Sequence, residues 1–88
     1  MTKKSLKRVL INARKNNKYT QEQVAIAASK LLPKGKSVSR QYYGMIENGE
    51  RTPSVDVAKA IANVLNINWT IFFEVYSNQK LQNDKQAI

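Results

Sequence analysis

Residues 40–48 read Arg-Gln-Tyr-Tyr-Gly-Met-Ile-Glu-Asn. Spaced at about 100° per residue around a helix axis, Gln41, Gly44, Met45 and Asn48 share one face. Tyr43 and Ile46 face the other way with Glu47 beside them, and Arg40 and Tyr42 lie on the flanks. A plain solvent face favours Lys and Glu. An outward face with two amides, a flexible apolar chain and a glycine, between a guanidinium and a phenol, suits the edges of bases. Gln pairs bidentately with adenine N6 and N7, Arg does the same with guanine O6 and N7, and Met packs on a thymine methyl. Gly44 costs its helix about 1 kcal/mol relative to Ala; close approach of backbone to a nucleic acid is one explanation, and neutral drift at an exposed site is another.

Other residues fit contacts to a phosphate backbone. Gln21 stands at the first turn of a helix, where free N–H groups and the positive dipole end suit an anion. Asn48, Arg51 and Thr52 follow the Arg40 helix and are placed to clamp a second phosphate. Lys34 and Lys36 sit in a basic loop that either rides along the backbone or only solubilises the chain. Lys3, Lys4, Lys7 and Lys18 are long-range contributors or solvated charges.

The elements that must hold these residues are helical. Leu6, Val9, Leu10 and Ala13 recur at helical spacing after Ser5, an expected cap, and the pattern ends at residues 16–18. Thr20 three residues ahead of Gln23 forms a capping box that starts helix 2. Val24, Ala27, Ala28, Leu31 and Leu32 are its expected inward face, up to Pro33. Ser39 caps helix 3, which ends at Asn48-Gly49. Ser54 caps helix 4, with Val55, Ala58, Ile61, Ala62 and Leu65 as the expected buried stripe and Asn66 as its end. Asn68 caps a last helix through Trp69, Ile71, Phe72 and Phe73, the expected closing plug of the core. Residues 77–88 are mostly polar and read as a frayed tail, with a short helical extension as the second choice. No strand pattern or internal repeat is visible.

The chain has 88 residues and a formal net charge of +9, with 15 Lys plus Arg against 6 Asp plus Glu. All of the surplus lies in residues 1–53, which carry +9, whereas residues 54–88 are neutral. A basic half joined to a neutral half is the footprint of a domain that presents one face to a polyanion, most often nucleic acid. With no Cys and no His, the chain has no thiolate nucleophile, imidazole base, disulfide or usual zinc ligand set. An enzyme, a cofactor and a small-molecule ligand are not expected. The longest apolar run, residues 24–28, falls far short of the roughly 20 needed to cross a bilayer, so no membrane partner is expected and the expected location is the cytoplasm, in the cytosol or nucleoid.

Residues 38–54, Val-Ser-Arg-Gln-Tyr-Tyr-Gly-Met-Ile-Glu-Asn-Gly-Glu-Arg-Thr-Pro-Ser, resemble the recognition helix and following loop of the Cro/CI-type helix-turn-helix proteins, the XRE family. The likeness continues in Asn12-Ala13-Arg14, in Thr20-Gln21-Glu22-Gln23-Val24-Ala25 and in Ile61-Ala62-Asn63-Val64-Leu65-Asn66-Ile67, four segments in order across residues 5–75.

The resemblance implies an all-α, five-helix, lambda-repressor-like DNA-binding domain over residues 1–76, with residues 77–88 as the polar tail. It implies sequence-specific binding of a double-stranded DNA operator by a transcriptional regulator, a repressor of phage or mobile-element type. It places Arg40, Gln41 and Met45 on base-reading positions, with Gly44 beside them, and Tyr42 on one that touches phosphate or sugar. It also implies a structural ion pair between Arg14 and Glu47. A homodimer would use helix 5 and the tail, around Trp69, Phe73, Val75 and Tyr76. The alternative is a protein-interaction module, such as an antitoxin or anti-repressor, with DNA binding secondary. One departure stands out: relatives join helices 2 and 3 through a tight turn, whereas residues 30–37 here look like an insertion of about two helical turns' worth of chain. That insertion bears on how helix 3 is placed.

Overall fold

The computed structural model describes residues 2–74. Four helices run in order, α1 over Lys3–Asn16, α2 over Gln21–Lys30, α3 over Arg40–Glu47 and α4 over Val55–Leu65. A fifth helix, α5, is described over residues 71–74, and there is no strand among the described residues. The domain limit expected at residue 76 and the tail over residues 77–88 lie outside the described residues.

Hydroxyl caps start the first four helices. Thr2, Thr20, Ser39 and Ser54 stand in extended backbone, and each side-chain oxygen accepts the N–H three residues on, from Ser5, Gln23, Tyr42 and Val57. Each satisfies a donor that helix geometry leaves without an internal partner. At Thr20 the box is complete, with Gln23 Oε1 accepting the Thr20 N–H at 2.8 Å. Asn68 Oδ1 accepts the Thr70 N–H at 3.1 Å ahead of α5. Ser5 is not the cap of α1 as expected. Thr2 holds that place, because Lys3 and Lys4 extend the helix without adding to the apolar periodicity that marked its start.

Three helices end alike. Lys18 (φ 61°), Gly49 (φ 83°) and Asn66 (φ 59°) take left-handed backbone. The next N–H then reaches back five residues, Tyr19 to Arg14 at 3.0 Å, Glu50 to Met45 at 2.8 Å and Ile67 to Ala62 at 3.0 Å. This arrangement satisfies carbonyls the helix has orphaned.

The core joins all the elements, with Leu10, Val24, Ala28, Tyr43, Ala58 and Ile61 wholly inaccessible. α2 packs most extensively on α4 and next on α3, while α1 lies against α3 and α4. Two expected inward residues are exposed, Leu31 at 52% and Val55 at 46%. α2 stops at Lys30, so Leu31 no longer follows its helical phase, and 3₁₀-type bonds from Leu31 to Ala28 and Leu32 to Ser29 tighten the last turn. Ala25 is buried in that helix instead. Val55 opens α4, and Val57 and Ala60 are buried, because neighbours cover α4 on more than one side. In the aromatic plug Phe72 is buried, while Trp69, Ile71 and Phe73 are half-buried against the core.

Candidate nucleic-acid interface

α3 is set by a polar anchor on its inner side. Glu47 is 2% exposed. Its carboxylate accepts Arg14 Nε at 2.9 Å, Arg14 Nη2 at 3.1 Å and Gln21 Nε2 at 3.2 Å. Arg14 also donates Nη1 to the Tyr19 carbonyl at 3.2 Å. Burial pushes the Glu47 pKa up, but the hydrogen bonds and charge of Arg14, with the Gln21 bond, outweigh it and hold the carboxyl below its ordinary value. The same hydrogen bond with Glu47 raises the Arg14 pKa. The Tyr43 hydroxyl is buried beside the pair, and burial, reinforced by the neighbouring Glu47 carboxylate, drives its pKa upward.

On the outer side, Arg40, Gln41 and Asn48 are exposed, and Tyr42 and Met45 are half-buried. A shallow concavity of about 300 Å³ is lined by Ser39, Gln41, Tyr42, Met45 and Arg51. The fold thus brings Arg51, from the loop after α3, against three expected contact residues of the helix itself. α3 has no acidic residue in its first turn, so nothing there opposes an anion at its N-terminus. Among the described residues, Arg40 and Arg51 have no carboxylate within ion-pair distance, whereas Arg14 is held by Glu47 and Lys36 by Asp56 at 3.0 Å.

Several expected residues are placed differently. Gly44 does not lie on open surface: a Cβ there would meet Gln21 Oε1 at 3.7 Å, so the Gln21 side chain occupies the room beside it. Gln21 itself donates to Glu47 rather than extending freely from the first turn of α2. Lys36, expected along a phosphate backbone, pairs instead with Asp56 in an exposed bridge, because the loop turns toward the start of α4. Lys34 and Thr52 are exposed. Trp69 and Phe73 stack edge to face with ring centroids 5.9 Å apart, and Lys59 Nζ lies 5.0 Å from the Trp69 centroid. Val75 and Tyr76 lie outside the described residues. Sequence reasoning missed Ser29 and Val38, which meet across the lengthened connection; no local motif marks a contact at that separation.

This geometry, a capped α3 with a polar outer face and a buried acidic anchor, stands next to a direct match. A family model described as helix-turn-helix aligns with residues 10–72. The chain belongs to the XRE-type helix-turn-helix family. The matched span runs from α1 to α5 and includes the long connection. This helix-turn-helix protein is also 46% identical over 69 residues to an uncharacterised HTH-type transcriptional regulator, YqaF, of Bacillus subtilis (strain 168), covering 78% of this chain and 80% of that protein. No solved structure matches it. Helix-turn-helix proteins of this type are DNA-binding regulators, and α2 and α3 are the helices that give the motif its name. No helix among the described residues is long and apolar enough to cross a membrane.

Proposed function

We propose that this helix-turn-helix protein binds double-stranded DNA sequence-specifically and represses transcription, as regulators of phage or mobile-element type do. α3 enters the major groove. Arg40, Gln41 and Met45 read base edges, while Gln21, Tyr42, Asn48, Arg51, Thr52 and Lys34 engage phosphate or sugar. The observation that carries the reading is the concavity on α3, where Gln41 and Met45 stand beside the guanidinium of Arg51, which has no carboxylate partner among the described residues. One wall offers base-edge chemistry and the other a phosphate ligand. The regulatory part draws support from YqaF, whose description is an HTH-type transcriptional regulator. Lys36 contributes to the backbone contacts on release from its exposed and therefore weak partner Asp56.

A single α3 of 8 residues addresses too few base pairs to find one site in a genome, and the usual remedy is a two-fold dimer on half-sites about one helical turn apart. The half-buried Trp69 and Phe73, together with Val75 and Tyr76, supply the dimer contact. Selection of bound duplexes from a random DNA library tests both parts: an enriched inverted repeat with half-sites about 10 base pairs apart supports them. Enrichment of a single half-site would remove the dimer, and no enrichment would remove the DNA reading in favour of a protein-interaction module.

A further inference from the structure

Ser29 lies in the last turn of α2. Its Oγ is 2.8 Å from the Val38 N, 3.1 Å from the Val38 O and 2.8 Å from the Ala25 O. The oxygen accepts the Val38 N–H, and its single proton serves the Ala25 carbonyl one turn back or the Val38 carbonyl. One side chain therefore binds the backbone of a residue at the far end of the long connection. Val38 is 4% exposed, and it directly precedes Ser39, whose hydroxyl caps α3 through the Tyr42 N–H at 3.0 Å. The path from α2 to the recognition helix is thus one hydroxyl, one buried residue and one cap.

The chain that this path bypasses holds little by itself. Residues 31–37 are exposed except for half-buried Leu32. Beyond the bonds that close α2, they are tied among the described residues by a turn bond from Lys36 N to Pro33 O at 3.0 Å and by the Lys36–Asp56 bridge, whose side chains are 57% and 53% exposed. An exposed pair of that kind fixes geometry weakly. A buried N–H stripped of its acceptor, by contrast, is expensive enough to shift the backbone that carries it.

We propose that Ser29 is a positioning residue for DNA recognition: it clamps Val38 and so sets α3 against α2, making base reading independent of the composition of residues 33–37. This rests on the DNA-binding reading above.

The test compares wild type, Ser29→Ala, Ser29→Thr and a chain in which residues 33–37 are replaced by a Gly-Ser segment of equal length. Each is titrated with a library-selected duplex and with a random duplex, and backbone amide exchange is followed by NMR. With Ser29→Ala, Val38 amide exchange is expected to speed up by about tenfold or more while the Ile61 and Leu65 amides stay protected. Affinity for the selected duplex should fall on the order of tenfold and that for random DNA by less than about twofold. Ser29→Thr, which keeps the hydroxyl, should restore both. The Gly-Ser chain should weaken both duplexes alike, through loss of Lys34 and Lys36, and leave their ratio intact. An unchanged affinity ratio in Ser29→Ala, or a Gly-Ser chain that loses the ratio as fully as Ser29→Ala does, overturns the proposal. Wild type without preference for any duplex overturns the DNA reading and the recognition role with it, while Val38 exchange still decides whether the clamp exists.

Discussion

Glu47, in the last turn of the helix that carries Arg40 and Gln41, is gripped by Arg14 of α1 through two hydrogen bonds of 2.9 and 3.1 Å. The two residues are 33 apart in the chain. Their fork fixes the rotation of α3 about its own axis: Glu47 inward means Gln41 outward. Gln21 joins the same carboxylate from α2, so three helices converge on one buried charge.

Removing either partner leaves the other charge stranded near the core. Glu47→Ala and Arg14→Ala should each cost about 3 to 5 kcal/mol. The double variant Arg14→Met/Glu47→Leu should cost far less than the two single losses added together, since an apolar pair needs no compensation. Urea unfolding of the three variants measures this, and a double variant as unstable as the sum would show that the ion pair is not the source of the loss.

Acid should act through the same group. The folded pKa of Glu47 is depressed, while the unfolded value is about 4.3. Above that value both states are ionised, and the contribution of Glu47 to stability is fully present; it is lost as pH falls through the depressed folded pKa. Wild type should therefore lose stability below about pH 4 more steeply than Glu47→Gln, which binds no proton. Thermal melts from pH 7 to pH 2 compare the two chains.

Lys18 occupies a left-handed position at φ 61°, where a Cβ is penalised by roughly 1 kcal/mol. Lys18→Gly should stabilise the protein by about 0.5 to 1 kcal/mol. Gly49 has the matching place after α3 at φ 83°. A Cβ there would meet the Lys3 side chain at an ordinary 3.5 Å, so Gly49→Ala should cost about 1 to 2 kcal/mol, from backbone strain. Opposite signs in denaturant midpoints are expected, and equal signs would contradict the shared geometry.

Salt should weaken DNA binding steeply. About 4 to 6 phosphate contacts per protomer imply a slope of log K against log salt of about −4 to −5, and about twice that for a dimer. Fluorescence anisotropy across a salt series gives the slope, and a value near zero would remove nucleic acid as the partner.

Base readers and phosphate ligands should separate on mutation. Arg40→Ala and Gln41→Ala should each cost about 1 to 3 kcal/mol on the selected duplex and relax its sequence preference. Arg51→Ala and Lys34→Ala should weaken selected and random duplexes alike, because phosphate contacts carry no sequence. Equal losses on both duplexes for all four variants would show that α3 does not read bases.

The sequence by itself determined the helices and the capped starts of α2, α3 and α4, whereas the start of α1 falls at Thr2 and not at the expected Ser5. Thr20 with Gln23, Ser39, Ser54 and the Asn48-Gly49 end act over three to five residues, so their effect is decided before the chain folds back on itself. The all-α class and the inward turn of Tyr43 and Ile46 follow from the same short-range periodicity. Arg14 with Glu47 was readable only through family resemblance, since no local rule pairs residues so far apart. Tertiary structure alone decided that Gln21 lies beside Gly44, that Lys36 turns to Asp56, that Leu31 and Val55 are exposed, and that Ser29 holds Val38. Each of these depends on where a helix stops and which neighbour then covers it. Those outcomes come from packing between distant segments, which composition and spacing along one segment do not encode.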